Sequence, residues 1–272
     1  MAQGGVRLSA ATFELIWQYL RLGEMPTALY VPPEGATVAE RQAVGRAAID
    51  ELAEQDLLVG RDELDEEVAG LFRLLARPAD EFYGWFVRAD GSAFSGLVAV
   101  HQRRAAMAIL DNGRAWVAPV APTTPAQALI GIAPRGRPVT AKSITVPADE
   151  FTVPTEPTEP AGRRSDFEAA RGVLEDNIPE SHDSDVNRLR ALVAEPDRGR
   201  AQLFVALRDR AGRRRKSARP IYYLDTEAGR WLLHFTSRHG GEPWLTAAPG
   251  SAEALTHALY DTRRELLGAR QL

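Results

Sequence analysis

Five histidines are the side chains in this sequence best suited to bind a metal ion or to transfer a proton near neutral pH. They are His101, His182, His234, His239 and His257. No two of them lie three or four residues apart, and the zinc motif H-E-x-x-H is absent. Two fall in predicted loops, two on predicted strands and one on a predicted helix. We interpret each as an ordinary polar residue and expect neither a metal site nor a cofactor.

The patterns typical of nucleophilic catalysis and of phosphate binding are missing as well. Ser95 and Gly96 lie in the stretch GSAFSG, which lacks the strand–turn–helix context of a nucleophile elbow. The glycine-rich stretch RHGGEPW (238–244) joins two predicted strands, so it is interpreted as a hairpin turn. The acidic run RDELDEE (61–67) precedes a predicted helix, whose positive end its carboxylates complement. These observations favour a binding protein over an enzyme.

One strongly basic stretch, RDRAGRRRKSAR (208–219), remains as a candidate binding element. It is either a solvated hairpin loop or a docking site for an acidic partner or for nucleic acid. The chain carries a net charge of −4 and the stretch contains no aromatic residue, which disfavours nucleic acid. Exposed loop charges contribute little to stability, so we expect the stretch to be dispensable for folding. Its candidate partner-binding residues are Arg208, Arg213, Arg214 and Arg215.

The composition is that of a globular protein. The chain has 272 residues, enough for one large domain or two small ones, and 44% of them are apolar. Cysteine is absent, which excludes disulfides and thiolate zinc sites. No apolar run approaches the roughly 20 residues that cross a bilayer, and the N-terminal stretch MAQGGVRLSA lacks the apolar core of a secretory signal. We therefore expect a cytoplasmic protein without membrane insertion.

Helical periodicity predicts three helices before residue 78. Ser9 is suited to cap the first, and Thr37 with Glu40 forms a capping box that opens the second. The third ends at Pro78. Turn signals then separate short apolar runs, which predict an antiparallel meander over 81–87, 94–100, 105–110, 115–120 and 128–133. The dipeptide Asn112-Gly113 is its strongest hairpin signal.

Two stretches more than a hundred residues apart repeat one pattern. VAGLFRLLARP (68–78) and VNRLRALVAEP (186–196) agree at five positions, and the match continues without a gap into the strands that follow. The predicted hairpins ILDNGRAW (109–116) and YLDTEAGRW (223–231) both contain Leu-Asp, Gly-Arg and Trp. Because the agreement extends beyond the common apolar residues of amphipathic helices, it favours a duplication over chance.

A duplication predicts one domain, residues 1–272, made of two related halves at about 8–146 and 165–267. The stretch 147–164 is rich in Pro, Thr and Glu and is interpreted as the linker between them. The predicted fold class is α+β, a pseudo-two-fold duplicated unit around a central antiparallel sheet with helices mainly on one face. The leucines of the repeated helices that we expect to be buried are Leu71, Leu74, Leu189 and Leu192.

A sheet covered on one face leaves its other face for a partner. Side chains alternate along a strand, so Trp231, Leu233 and Phe235 are expected to face the helices. On the same strand Arg230, Leu232 and His234 then point to the open face. On 203–208 the same alternation directs Phe204 and Arg208 outward, although a local helix that covers Phe204 is an open alternative. The candidate partner-binding residues on this face are Phe204, Arg208, Leu232 and His234.

Three stretches of the sequence resemble a known protein family. WQYLRLGEMPTALYVPPEGATVAERQA (17–43), LARPADEFYGWFV (75–87) and LDTEAGRWLLHFTSRHGGEPWLTAAPGS (224–251) resemble the EspG family, the cytosolic chaperones of actinobacterial type VII (ESX) secretion. The resemblance covers about residues 8–267. It implies a quasi-symmetric fold around a central antiparallel sheet. It also implies a protein that binds PE–PPE heterodimers by the apolar tip of the PPE helical bundle, keeps them soluble and delivers them to the ESX machinery.

The expected function is therefore that of a non-enzymatic cytoplasmic chaperone or adaptor, without cofactor, acting as a monomer or weak homodimer. The expected partner is a PE–PPE-like heterodimer or another helical secretion substrate, with no role for nucleic acid. The segment between the predicted linker and Val186 is shorter than the helical insert with which many mycobacterial members hold their substrate. A divergent PPE-like protein or another helical secretion substrate is therefore an alternative partner. The alternatives are an enzyme with a dispersed active site, such as a hydrolase, and a nucleic-acid-binding regulator that uses the loop 208–219.

Overall fold

A computed structural model describes residues 4–60, 63–148, 184–195, 198–237 and 242–268. The chain is α+β, as predicted. The α-helices of the described residues are α1 Ala10–Tyr19, α2 Val38–Glu54, α3 Glu66–Ala76, α4 Pro125–Gly131, α5 Ser184–Ala194 and α6 Ala252–Gly268, and a 3-10 helix covers Thr27–Leu29. The strands are β1 Val6–Ser9, β2 Leu58–Val59, β3 Glu63–Leu64, β4 Asp80–Arg88, β5 Ala93–His101, β6 Arg104–Asp111, β7 Arg114–Val120, β8 Ile144–Pro147, β9 Gly199–Arg208, β10 Arg214–Lys216, β11 Ile221–Thr226, β12 Gly229–Ser237 and β13 Pro243–Pro249.

Local signals in the sequence place several boundaries correctly. The hydroxyl of Ser9 accepts a hydrogen bond from the Thr12 backbone N–H at the start of α1, and the capping box of Thr37 and Glu40 opens α2. The carboxylate of Asp65 caps α3, so the acidic run serves a helix terminus as predicted. No helix in the described part of the chain is long and apolar enough to cross a membrane.

The first of two compact units comprises Met1–Trp85, Ala93–Ile132 and Val205–Arg215. Its strands neighbour one another in the order β1-β7-β6-β5-β4. The pairings of β1 with β7, β7 with β6 and β6 with β5 are antiparallel, which confirms the predicted meander over these strands. The run 128–133, predicted as its last strand, lies mostly in helix α4, so that part of the prediction is wrong. At the β6–β7 turn Asn112 and Gly113 have φ angles of 44° and 73°, the left-handed conformation that a tight two-residue hairpin requires.

Both faces of the sheet in this unit are covered at strand β5. The hydroxyl of Ser95 donates a hydrogen bond to the carbonyl of Ala28 in the 3-10 helix. The neighbouring Gly96 lies against the side chain of Ile132, which follows α4. Because successive residues of a strand point to opposite faces, the two contacts lie on opposite sides of the sheet. The open face that the sequence predicts is therefore closed here.

The second unit comprises Phe86–Ser92, Ala133–Phe204 and Lys216–Leu272. Its strands neighbour one another in the order β9-β11-β12-β13-β8, with antiparallel pairing throughout. Helix α5 packs on one face of this sheet, against the side of β12 that was predicted to face the helices. The buried residues of this cluster are Val139, Ile144, Val146, Val186, Leu189, Leu192, Trp231, Leu233, Leu245 and Ala247.

Helix α6 covers the other face of the second unit's sheet. It packs against β11 and β12, and the charge of Asp261 on α6 acts on His234 of β12. Leu232, two residues before His234 and on the same face, is buried. The sheet is thus enclosed on this side too, and no open face is left at these strands for a partner.

The repeated helices have unequal environments. In the first copy Leu74 is buried, but Leu71 is only half-buried because Phe72 and Leu75 take the inner positions. In the second copy Leu189 and Leu192 are both buried. The expectation of burial is therefore confirmed for three of the four leucines and wrong for Leu71.

The duplication itself stays a prediction. The strand after each repeated helix is followed by neighbouring strands in chain order: β4 after α3 by β5, β6 and β7, and β9 after α5 by β11, β12 and β13. The two compact units group the chain differently from the predicted halves, since residues 205–215 belong to the first. Most of the predicted linker 147–164 and Pro196 lie outside the described residues.

Candidate protein-binding surface

The basic hairpin, defined as residues 208–216, has a turn that is fixed by Asp209. The Asp209 carboxylate accepts hydrogen bonds from the backbone N–H groups of Ala211 and Arg213, each at 2.9 Å, and from Nε of Arg213 at 2.8 Å. Gly212 adopts a φ of 81°, which glycine reaches without strain. The hydrogen bonds from Arg213 hold the pKa of Asp209 below its usual range. The turn therefore has its conformation specified locally.

Arg214 leaves this turn and binds a buried carboxylate. Its Nε lies 3.0 and 2.9 Å from the two carboxylate oxygens of Glu81 on β4, and its Nη2 lies 2.8 Å from Oε2. A second guanidinium, that of Arg208, lies 3.6 Å from Oε1. The Glu81 side chain is only 3% exposed, so its charge depends on these two cations in place of water.

Tyr83 completes the surroundings of this ion pair. It shares a face of β4 with Glu81, and its ring centroid lies 5.4 Å from the guanidinium carbon of Arg214. Burial raises the pKa of the Tyr83 hydroxyl, and the charge of Arg214 offsets part of that rise. Burial alone would lower the pKa of Arg214, but the hydrogen bonds and charge of Glu81 outweigh it and raise the pKa. The Arg214 guanidinium is therefore kept charged beside the Glu81 carboxylate.

The premise that these arginines are solvated loop charges is wrong for Arg214, whose guanidinium pairs with the buried carboxylate of Glu81. Their dispensability for folding stays a prediction. Arg213 fits the premise, since its side chain is 81% exposed and pairs only locally with Asp209. Arg215 is half-buried, and Arg208 is largely enclosed near the ion pair. The exposed Arg210 at the tip escaped the sequence analysis, although it lies within the basic run.

Glu81 was also missed. It begins the apolar stretch EFYGWFV (81–87), which the sequence analysis used only as a strand. An acidic side chain at an inward position of an apolar strand requires a cation to accompany it. The sequence therefore indicates that a cation must lie near Glu81, but it does not indicate which of the many arginines supplies it.

Replacing the arginines one at a time is expected to separate the structural arginine from the exposed one. Arg214→Ser removes the bidentate partner of Glu81 and should lower the free energy of unfolding by about 2 kcal/mol. We expect less than the full cost of a broken buried pair because the Arg214 side chain is 35% exposed. Arg213→Ser should leave the melting temperature unchanged. Thermal unfolding followed by circular dichroism measures both variants, and equal melting temperatures would contradict the assignment.

Two predicted contact residues are not at the surface. Phe204 is 2% exposed, because both faces of β9 are covered along Leu203–Leu207. Leu232 is buried beneath α6. Strand alternation predicts that both face outward on an open face, with a covered Phe204 as the alternative. The open-face prediction is wrong for both, since neither side chain is accessible to a partner.

His234 is half-buried on β12, beside the contacts of α6. Burial lowers its pKa, and the nearby charge of Asp261 offsets part of that shift. His101 and His257 are exposed, and His182 and His239 lie outside the described residues. Within the described residues no group of three His, Cys, Asp or Glu side chains is arranged to hold a metal ion.

Helix α2 carries two large exposed apolar side chains that the sequence patterns did not single out. Val38 and Ile49 are exposed, and their spacing of eleven residues, three helical turns, places them on the same side of the helix. Ala48 and Leu52 form the buried side against the rest of the unit. The large exposed apolar residues of the described part are Tyr19, Tyr30, Val38, Ile49 and Val59.

Comparisons with known proteins agree with this architecture. The sequence profile of the EspG family matches residues 9–261. Among solved structures, the chain is similar to the Mycobacterium tuberculosis type VII secretion system chaperone EspG5, which was solved in complex with a PE25-PPE41 dimer. The two share 18% sequence identity over 95% of this chain and 96% of that chain, with a TM-score of 0.65. No curated protein sequence matches the chain.

Proposed function

Because this chain belongs to the EspG family, we propose that it is a chaperone that binds PE–PPE-like heterodimers, keeps them soluble and targets them to a type VII secretion machinery. The observation that carries the proposal is the family match over residues 9–261, joined to a similarity that spans nearly the full length of both this chain and EspG5. The proposed role is non-enzymatic and cytoplasmic. This role requires a surface that recognises a folded helical protein, and it does not require a catalytic site.

Two elements of the first unit suit that recognition. The basic hairpin presents the exposed guanidinium groups of Arg210 and Arg213, which favour an acidic surface on the partner. Helix α2 presents Val38 and Ile49, which suit the apolar tip of a helical bundle. Of the residues that the sequence indicates, we retain Arg208, Arg213, Arg215 and His234 as proposed contacts. Arg214 is retained as a residue that supports the hairpin through its ion pair with Glu81. Phe204 and Leu232 are withdrawn because they are buried.

Affinity purification of the tagged chain from its native cytosol is expected to enrich a PE–PPE-like heterodimer in equal amounts of its two subunits. The comparison variant is Arg210→Ser/Arg213→Ser, which changes only exposed side chains; it should retain less of the heterodimer than the wild type at low salt, and its capture should depend less on salt. Mass spectrometry identifies the retained proteins. Enrichment of nucleic acid, or retention of no helical pair by the wild-type chain, would contradict the proposal.

A further inference from the structure

We propose that Glu81 is a positioning residue for partner capture, which holds the basic hairpin in one conformation without touching the partner. The inference rests on the proposed function and on the geometry of the hairpin. Glu81 lies on β4 with a side chain that is 3% exposed, so a bound protein cannot reach it. Its influence on binding must therefore pass through Arg214 and Arg208.

The two ends of the hairpin are anchored differently. At the start, the Arg208 backbone N–H donates to the Ala79 carbonyl at 2.7 Å, and its Nε donates to the Pro78 carbonyl at 3.4 Å. At the tip, Asp209 fixes the turn. At the far end, the side chain of Arg214 is held by the carboxylate of Glu81, 133 residues away in sequence. Glu81 thus fixes where the returning strand of the hairpin lies.

The hairpin needs such an anchor because of its charge. Residues 208–216 contain six basic side chains and one acidic one, so charge repulsion opposes the backbone pairing of β10 with β9. Glu81 lies within reach of Arg208 on one strand and Arg214 on the other. Its carboxylate therefore offsets this repulsion and adds to the backbone pairing in holding the two strands together.

A fixed hairpin presents its cations at a lower entropic cost on binding. Each long side chain or loop residue that is ordered before the encounter need not be ordered during it. The exposed Arg210 and Arg213 project from the turn that this anchor supports. The chemistry that matches them is an acidic patch on a helical protein, which their fixed geometry recognises better than a mobile loop of equal charge would.

Glu81→Gln separates positioning from simple charge attraction, because the two accounts predict opposite results. The variant removes a negative charge and leaves every arginine in place, so attraction alone predicts equal or tighter capture of an acidic partner. Positioning predicts capture that is about threefold to tenfold weaker. The measurement is the Kd of the PE–PPE-like heterodimer that co-purifies with the wild-type chain, by isothermal titration at two salt concentrations. Equal or tighter binding by Glu81→Gln overturns the proposal.

Limited proteolysis with trypsin reports on the hairpin without any partner. The wild-type hairpin should resist cleavage after Arg210 and Arg213, and Glu81→Gln should be cleaved there about tenfold faster. The matched control is Glu66→Gln, which removes an exposed carboxylate paired with Arg73 and should change nothing. If the wild-type chain captures no heterodimer, the proposed function fails. If Glu81→Gln cleaves like wild type, the positioning role fails.

Glu81→Asp covers the case in which Glu81→Gln does not fold. It keeps the net charge and shortens the side chain by one methylene, so the carboxylate no longer reaches Arg214 in the same bidentate geometry. Positioning predicts an intermediate loss of capture and intermediate cleavage. Wild-type values for both measurements in this variant would overturn the proposal.

Discussion

Arg230→Ala is expected to lower the free energy of unfolding by about 3–5 kcal/mol, the usual cost of removing one partner from a buried ion pair. The Arg230 side chain is 5% exposed and donates two hydrogen bonds of 2.6 Å to the carboxylate of Asp225. Its Nη2 also donates to the Pro134 carbonyl at 2.8 Å, and its guanidinium carbon lies 3.9 Å from the ring centroid of Tyr223. The truncation leaves the carboxylate of Asp225 and the carbonyl of Pro134 without this donor.

Urea unfolding followed by tryptophan fluorescence measures this cost. Arg198→Ala is the matched control, because Arg198 pairs with Glu227 in the same unit but both side chains are mostly exposed. That control should change stability by no more than about 0.5 kcal/mol. The double variant Asp225→Leu/Arg230→Met should recover much of the loss, since it removes both buried charges together. Equal stability of Arg230→Ala and Arg198→Ala would show that the buried pair contributes nothing.

Leu189→Ala is expected to cost about 3–4 kcal/mol, whereas Leu71→Ala should cost about 1 kcal/mol. Leu189 is fully buried in the cluster that α5 forms with β8, β12 and β13, so its truncation opens a cavity among residues that cannot all relax. Leu71 is half-buried, so water already reaches part of its side chain.

The same urea measurement compares these two variants. They occupy equivalent positions of the repeated sequence, and the sequence analysis expects equal burial for them. The described structure distinguishes their environments. Equal losses for Leu189→Ala and Leu71→Ala would contradict this distinction and favour the equivalence that the sequence alone indicates.

Much of the fold could be predicted from the sequence because its signals are local. A hydroxyl or carboxylate three residues before a free backbone N–H caps a helix wherever the chain lies, as Ser9, Thr37 and Asp65 do. A two-residue Asn-Gly turn requires positive φ angles that these residues tolerate, which fixes the β6–β7 hairpin. The period of two along β12 correctly assigns Trp231 and Leu233 to the helix-facing side.

The candidate site could be predicted only in part. The sequence marks a basic hairpin, and the exposed Arg213 fits the expectation of a solvated cation. It does not distinguish Arg214 from Arg213, its neighbour of the same type. The difference is created by Glu81, which reaches Arg214 from a strand 133 residues earlier. Charge patterns report how many cations a segment has, whereas their roles depend on the carboxylates that the fold brings near them.

What the sequence by itself determined is the α+β class, the helix caps, the hairpins and the family to which the chain belongs. Only the tertiary structure decided which polar and aromatic residues are hidden. Phe204 and Leu232 obey the alternation of their strands, yet both are buried because both faces of the sheet are covered there. Arg230 is enclosed because Gly136 and Gly250, distant in sequence, leave no side chain in the space that it fills. Alternation assigns a side chain to a face, and packing between distant segments then decides whether water reaches that face.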